Sequence, residues 1–295
     1  MEKLMVEAVT AEKIDAYDLG YIAGSRLETE DGVHIYYERY GIESPTTIVL
    51  IPNLFLIAPL WRNFSAELAT KYSIVSYDMR NKGASTQVDG VVDFERHIHD
   101  LRAVLTHLGV ERPYLVASSD STLLAREYAL AYPDEVGGLA LYGPVFNAIG
   151  GRRRRRLIQA WLSTVTNVGP TALFNEMYPL IYSHHTVEFG GSPAYLALKE
   201  RFIALSSQQQ LITNLKTSLT VSDEPDRLRQ IACPVLLSAG ENDFQTSGAM
   251  MREVAAIMPD AEVEVIPNSG HAPYFEATAE FEASIDRFVR ATLAR

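Results

Sequence analysis

Short, mostly apolar runs alternate with helix-like segments along most of the chain. Runs of five or six residues of this kind are typical of strands that are buried on both faces of a sheet. They lie at 47–51, 72–77, 113–117, 138–142, 234–239 and 262–266. Between them, apolar positions at helical spacing predict helices at roughly 60–71, 93–109, 121–132, 246–258 and 276–293. This alternation predicts an α/β fold with a mostly parallel central sheet and helices on both faces.

The first part of the chain follows a different pattern. Asp31-Gly32 lies between two segments that are rich in strand formers, 26–30 and 33–38. Asp-Gly is a favoured two-residue turn, so this region predicts an antiparallel β-hairpin at one edge of the sheet. Residues 1–20 have no strong pattern, and we interpret them as a short helix, a loose tail or an arm that pairs two copies into a homodimer.

The alternation of strands and helices stops in the middle of the chain. No convincing strand occurs in residues 148–223, where apolar residues recur at helical spacing. Pro170 and Pro193 stand where first-turn prolines would start new helices. We therefore predict about four helices in an insert at 148–223, within a core that is formed by residues 1–147 and 224–295.

Composition and charge narrow the class of protein. The 295 residues are 47% hydrophobic, which is enough for one large core. The formal net charge of −11 argues against a nucleic-acid partner, because such a partner favours a basic surface. No apolar run approaches the roughly 20 residues of a membrane span, and the N-terminus does not resemble a secretory signal. The single cysteine, Cys233, fits a reducing compartment, so we expect a cytoplasmic protein without a membrane partner.

A run of five arginines, Arg152–Arg156, is the one strongly basic segment. Such runs can bind nucleic acid or membrane surfaces. Because the chain as a whole is acidic, we interpret this run as a solvated face at the start of a helix.

The most informative motif is Ala117-Ser118-Ser119-Asp120-Ser121, which follows a strand-like run and precedes a helix-like one. A sharp turn with a central serine between a strand and a helix is the context of the nucleophile elbow, usually written G-x-S-x-G. Ala117 and Ser121 replace the two glycines here. The motif resembles that of the α/β-hydrolase family. The resemblance implies that Ser119 is a nucleophile and that the helical insert is a cap over the active site.

Two further segments carry the same resemblance and imply the partners of Ser119. Gly270-His271 follows the last predicted strand and resembles the family's Gly-His near the C-terminus, which implies that His271 is the base. Gly240-Glu241-Asn242-Asp243 follows the preceding strand and resembles the family's G-x-x-D turn, which implies that Asp243 is the acid. The order Ser119, Asp243, His271 is that of the family. Asp223 and Asp260 are rival acids, but neither follows a clear strand.

The resemblance also implies an oxyanion hole, although Pro52-Asn53 stands where the family often has His-Gly. By position after its strand, the backbone N–H of Leu54 would be one donor, and the N–H of Asp120 would be the other. The side chain of Asp120 has two interpretations. We expect it to point to solvent at the start of its helix, and the alternative is a contact with a polar group of the substrate or of the cap.

Other polar residues are interpreted as structural. The segment from Asp78 to Ser85 resembles the family's D-x-R-G-x-G-x-S loop and is given no catalytic role. His97, His99 and His107 fall in a predicted helix, away from the strand ends where chemistry is expected.

These features predict a serine hydrolase that cleaves an ester, thioester or lactone of a small hydrophobic substrate through an acyl-enzyme. No metal or cofactor is expected, since phosphate-loop and zinc motifs are missing from the sequence. Aromatic residues are expected to line the substrate pocket: Phe55, Trp161, Phe174, Tyr178 and Phe202. Two alternatives remain open: a specialised biosynthetic enzyme that hydrolyses C–C bonds or forms rings by acyl transfer, and a ligand-binding protein on a hydrolase scaffold.

Overall fold

A computed structural model describes residues 9–22 and 25–295 of the chain. Its central feature is an eight-stranded sheet with the order β1-β2-β4-β3-β5-β6-β7-β8. The strands are β1 (Arg26–Glu28), β2 (His34–Gly41), β3 (Thr47–Ile51), β4 (Ser73–Tyr77), β5 (Tyr114–Ser118), β6 (Gly138–Tyr142), β7 (Val235–Gly240) and β8 (Ala261–Ile266). β1 and β2 form an antiparallel edge, and the strands from β4 to β8 run parallel. The predicted hairpin and mostly parallel sheet are confirmed.

The sheet is buried because its two faces carry two separate apolar clusters. Along β3, Ile48 and Leu50 belong to one cluster, while Val49 and Ile51 belong to the other. This alternation follows from the two-residue period of a strand. Since the parallel strands all end at the same edge, the loops after β5, β7 and β8 meet there.

Helices cover both faces of the sheet. Their bounds are α1 (Ala11–Asp15), α2 (Ala66–Ala69), α3 (Phe94–His107), α4 (Ser121–Ala131), α5 (Arg152–Asn167), α6 (Pro170–Ile181), α7 (His184–Leu205), α8 (Gln208–Ser218), α9 (Gly248–Ala255), α10 (Pro273–Glu276) and α11 (Thr278–Leu293). Three short 3-10 helices lie at Ala58–Phe64, Pro133–Glu135 and Pro225–Gln230. Helices α3, α4 and α9 pack on one face of the sheet, and α11 packs on the other.

The prediction of one continuous helix at 60–71 is wrong. The structure has a 3-10 helix at Ala58–Phe64 and a single turn of α-helix at Ala66–Ala69. Ser65 separates them with a non-helical φ of −144° and ψ of 23°. The Ser65 hydroxyl donates a hydrogen bond to the Trp61 carbonyl, and a serine hydroxyl that bonds to the carbonyl four residues earlier bends and slightly destabilises a helix.

Helices α5 to α8 lie between β6 and β7 in the chain, as expected for a helical insert. Pro170 occupies the first turn of α6. Helix α7 is interrupted at Gly191, whose φ of 55° and ψ of −158° are not helical. Pro193, where a new helix was predicted, lies two residues further on.

The N-terminal region contains the short helix α1, which packs against α7. The prediction of a short helix is therefore confirmed for residues 11–15. Residues 1–8 of the predicted arm lie outside the described residues. Within the described part of the chain, no helix is both long enough and apolar enough to cross a membrane.

His97 is buried on α3, and its Nδ1 has no hydrogen-bond partner among the described residues. Burial, assisted by the positive charge of Arg80, lowers the pKa of His97 from 6.5 to about 4. The unfolded chain therefore binds a proton at higher pH than the folded one. It follows that stability contributed by the neutral imidazole is present above pH 6.5 and is lost as the pH falls toward 4.

We expect His97→Asn to flatten this pH dependence. Between pH 7.5 and pH 5, the wild-type free energy of unfolding should fall by about 2 kcal/mol more than that of the variant. Urea titrations at the two pH values measure this difference. His99→Asn is the matched control, because His99 is exposed on the same helix and its replacement should leave the wild-type pH dependence intact. An equal fall in wild type and His97→Asn would contradict a buried neutral imidazole.

Candidate active site

Ser119 lies in a sharp turn between β5 and α4. Its φ of 59° is in the left-handed region, which non-glycine residues rarely adopt. The turn is held by hydrogen bonds: Ser119 N–H donates to the Tyr142 carbonyl at 2.9 Å, and the Ser121 hydroxyl donates to the Ser118 carbonyl at 2.8 Å. Backbone strain of this kind is typical of functional positions. The local geometry is that of the predicted nucleophile elbow.

The structure brings Ser119, His271 and Asp243 together at the carboxyl edge of the sheet. His271 Nε2 lies 2.9 Å from Ser119 Oγ, and His271 Nδ1 lies 2.8 Å from Asp243 Oδ2. The side chains of His271 and Asp243 are only 2% and 0% exposed. A proton can therefore pass from the serine to an imidazole whose other nitrogen is held by a carboxylate.

Both partners of Ser119 are fixed by their surroundings. Asp243 Oδ1 accepts hydrogen bonds from the N–H groups of Gln245 and Thr246 at 2.7 and 2.9 Å. These bonds leave Oδ2 directed at His271. Gly143 makes room for the imidazole: it has a φ of 56°, and a Cβ there would lie 2.8 Å from the His271 ring. A larger residue at position 143 would displace the ring.

Sequence reasoning missed a buried carboxylate, Glu276, that ties the His271 loop to the helical insert. One of its oxygens accepts from Gly270 N–H at 2.7 Å. The other accepts from Ser183 N–H at 2.8 Å and from the Thr186 hydroxyl at 2.6 Å. Burial raises the pKa of Glu276, although these hydrogen bonds oppose the shift. The sequence around Glu276 does not indicate this role, because its hydrogen-bond partners are Gly270 and residues at the start of α7, and α7 lies far away in the chain.

A cleft opens beside Ser119. Of the aromatic residues that were predicted for the pocket, Trp161 lines this cleft. Phe55 and Phe202 line another, largely apolar cavity. Phe174 and Tyr178 instead pack with Tyr195 inside the helical insert. For Phe174 and Tyr178 the pocket assignment stays a prediction, and their observed ring contacts lie within the insert.

The interpretation of Arg152–Arg156 as a solvated face is also wrong in part. Arg154 is 5% exposed, and its Nε and Nη2 donate hydrogen bonds to the Asp223 carboxylate, with N–O distances of 2.9 to 3.0 Å. Arg153 and Arg154 both line the cleft beside Ser119. Helical spacing places Arg154 on the same face as the buried Ile158 and Trp161, and this signal could have identified it.

The expectation that the side chain of Asp120 points to solvent is wrong, while its contact with a polar group of the substrate stays a prediction. Its carboxylate does not point to solvent, and its observed partner is not in the helical insert. Instead, Oδ1 accepts a hydrogen bond of 3.1 Å from the backbone N–H of Leu54. Burial raises the pKa of Asp120, while the charge of Lys82 and the N–H groups of Leu54 and Asp120 itself act against this. The N–H of Leu54, one of the two predicted oxyanion donors, is thus bound to a carboxylate of the protein.

The loop from Asp78 to Ser85 is densely hydrogen bonded, as expected of a structural element. Asp78 accepts from the N–H groups of Ala58 and Ala84, at 2.7 and 2.9 Å. One residue of this loop nevertheless reaches the candidate site. Lys82 is buried and donates to the Asn53 carbonyl, one residue before Leu54. Burial lowers the pKa of Lys82 to about 8, against the opposing charges of Asp120 and Asp78. Sequence reasoning missed this residue.

A hydrogen-bonded Ser-His-Asp set at the carboxyl edge of a mostly parallel α/β sheet is the arrangement of one class of protein, the α/β hydrolases. Comparison with known families agrees with this class. Residues 49–284 match the model described as "Alpha/beta hydrolase family". The chain belongs to the alpha/beta hydrolase family.

Individual relatives share moderate similarity with the chain. It is 25% identical over 239 residues to a protein of Azorhizobium caulinodans named putative carbamate hydrolase RutD, covering 81% of this chain and 88% of the relative. It is 25% identical over 236 residues to 2-hydroxy-6-oxo-6-phenylhexa-2,4-dienoate hydrolase of Burkholderia cepacia, covering 75% and 78%. The solved enol-lactonase of Burkholderia xenovorans LB400 has the same fold, with a TM-score of 0.79, 19% identity and coverage of 90% and 99%. Together with the family match, the relatives support the general assignment of a hydrolase.

Proposed function

We propose that the chain is a serine hydrolase that cleaves an ester, thioester or lactone of a small hydrophobic substrate. The observation that carries this proposal is the pair of hydrogen bonds that join Ser119 Oγ to His271 and His271 to Asp243, at 2.9 and 2.8 Å. A serine hydroxyl is a weak nucleophile unless a base removes its proton. Here the base is within hydrogen-bond reach and is itself oriented by a buried carboxylate.

The proposed reaction has two halves. His271 Nε2 takes the proton of Ser119 Oγ as this oxygen attacks the carbonyl carbon, and the tetrahedral intermediate then collapses. The protonated His271 gives its proton to the leaving alcohol or thiol, which leaves an acyl group on Ser119. Water attacks this acyl-enzyme with His271 again acting as base, and release of the acid restores the serine. Asp243 keeps the Nδ1 proton in place throughout.

The lining of the cleft supports a largely hydrophobic substrate. Leu157, Ile158 and Trp161 from α5 face the same cleft as Ser119. The backbone N–H groups of Leu54 and Asp120 remain our candidates for the oxyanion hole. The helical insert at 148–223 is proposed to act as a cap, because α5 supplies one wall of this cleft.

One feature favours a second candidate, hydrolysis of a C–C bond in a substrate that carries a carboxylate. Arg153 lines the cleft and donates its observed hydrogen bonds to the uncharged carbonyls of Phe244 and Gln245. A guanidinium with neutral partners can bind a carboxylate in the substrate. The Burkholderia cepacia relative is named as the hydrolase of such a compound, a dienoate.

The test of the proposed function is capture of the acyl-enzyme. The protein is mixed with p-nitrophenyl butyrate, stopped with acid during the first turnover and digested for mass spectrometry. We expect a burst of p-nitrophenol and a butyryl group on the peptide that contains Ser119. Turnover without a burst or an adduct would contradict the proposal, and no turnover together with hydrolysis of the dienoate would favour the second candidate.

A further inference from the structure

The carboxylate of Asp120 lies at the proposed oxyanion hole, where the oxyanion of a substrate would bind. The Asp120 carboxylate accepts the Leu54 N–H at 3.1 Å, and the N–H of Asp120 also favours its charged form. In acyl transfer, donors of this kind stabilise the negative charge that develops on the carbonyl oxygen. A donor that is already bound to a carboxylate is not free to do so. In addition, a fixed negative charge beside a second developing one raises the barrier.

A second position for this carboxylate would lie toward a small cavity that Asp120 also lines. This cavity adjoins the cleft, and Asp120 lines both spaces. The polar residues on its walls include Lys82 and His97 from the core and Asn214, Thr217 and Ser218 from α8. Asp120 therefore lies between two spaces. Ser119 lines one of them, and the buried Lys82 lines the other.

Lys82 is suited to hold the carboxylate in that second position. It is 4% exposed, and its hydrogen bond to a described residue goes to the Asn53 carbonyl. An ammonium group has three donor hydrogens, so this bond does not exhaust its capacity. The charges of Lys82 and Asp120 attract each other in the present geometry. Rotation toward Lys82 would free the Leu54 N–H and would place the negative charge against a positive one.

We propose that Asp120 is a specificity-determining residue that fills the oxyanion hole of the resting enzyme and turns toward Lys82 when a carbonyl oxygen binds. The inference rests on the proposed function, because it takes Ser119 as the nucleophile. Small esters offer few contacts to offset the displacement of Asp120, so the wild-type enzyme reacts slowly with them. Larger substrates that fill the cleft displace it more readily, since more of their binding energy is available.

The experiment compares the wild type with Asp120→Ala in two assays. One is the second-order rate at which a fluorophosphonate probe labels Ser119, since the phosphoryl oxygen uses the same donors. The other is kcat/KM for p-nitrophenyl acetate. We expect Asp120→Ala to be at least about tenfold faster in both assays, because the Leu54 N–H becomes free and a negative charge is removed. Asp226→Ala is the matched control, because it removes an exposed carboxylate whose side chain is 92% accessible, and its rates should equal those of the wild type.

A second variant separates displacement of Asp120 from a general loosening of the site. Lys82→Met removes the proposed alternative partner, so it should label more slowly than the wild type. The double variant Lys82→Met/Asp120→Ala should label as fast as Asp120→Ala alone, because no carboxylate is left to be displaced. Circular dichroism and thermal melting confirm that each variant is folded. If the two residues only supported the structure, the double variant would instead be the slowest.

The outcomes distinguish this inference from the proposed function. Labelling of the wild type on Ser119, with a folded Asp120→Ala that is equal or slower, overturns the role of Asp120 and leaves the serine hydrolase intact. A failure of the probe to label Ser119 in any variant overturns both, because it shows that the serine is not activated.

Discussion

Replacing Ser119 by alanine is expected to reduce ester hydrolysis by at least about 10,000-fold. The hydroxyl lies 2.9 Å from His271 Nε2, so its loss removes the bond-forming atom of the proposed reaction. The effect should appear in kcat, because the substrate can still enter the cleft beside Trp161. Steady-state kinetics with p-nitrophenyl butyrate measure both parameters.

Ser118→Ala is the matched control for this variant. Ser118 precedes Ser119 in the same motif, is buried, and its hydroxyl has no hydrogen-bond partner among the described residues. Removing that hydroxyl should therefore leave activity within about tenfold of the wild type, since it breaks no observed bond. Retention of activity by Ser119→Ala, or equal losses in both variants, would rule out Ser119 as the nucleophile.

The sheet could be predicted from the sequence because its signals are local. The apolar runs at 47–51 and 138–142 coincide with β3 and β6 residue for residue. Once the strands are parallel, their carboxyl ends share one edge. The convergence of Ser119, Asp243 and His271 therefore follows from topology together with the order of the motifs. The prediction of a continuous helix at 60–71 was wrong at Ser65, whose hydroxyl donates to the Trp61 carbonyl.

The details of the candidate site could not be predicted in the same way, because they depend on contacts between distant parts of the chain. The hydrogen bond between Asp120 and Leu54 joins residues that are 66 positions apart. Nothing near Lys82 in the sequence indicates that its ammonium group is buried beside Asn53. By contrast, helical spacing indicates that Arg154 is buried, because it places Arg154 on the same face as Ile158 and Trp161. The acidic charge of the whole chain does not bear on this local pattern.

The inserted helices line the cleft and also hold His271, the proposed base. Ile181 at the end of α6 accepts the His271 N–H at 2.7 Å, and Glu276 joins Gly270 to the start of α7. Movement of α6 or α7 would therefore be transmitted to the imidazole. This connection explains how an insert with few sequence signals of function can influence the geometry at Ser119.

Asp243→Asn is expected to lower kcat by about 10,000-fold while the protein stays folded. The reason lies in the hydrogen bonds of this side chain. The N–H groups of Gln245 and Thr246 both donate to Oδ1, so the asparagine oxygen must occupy that position. Its NH₂ group then faces His271 Nδ1, which has to become an acceptor. The ring proton moves to Nε2, and this tautomer cannot take a proton from Ser119.

Two measurements test this argument about tautomers. The melting temperature of Asp243→Asn should stay close to that of the wild type, because both backbone hydrogen bonds to Oδ1 are kept. Asp260→Asn is the matched control: Asp260 is a rival acid by sequence, but it is half exposed and pairs with Arg295, so its replacement should leave kcat unchanged. A drop of less than tenfold in Asp243→Asn, or a larger drop in Asp260→Asn, would show that Asp243 does not orient the base.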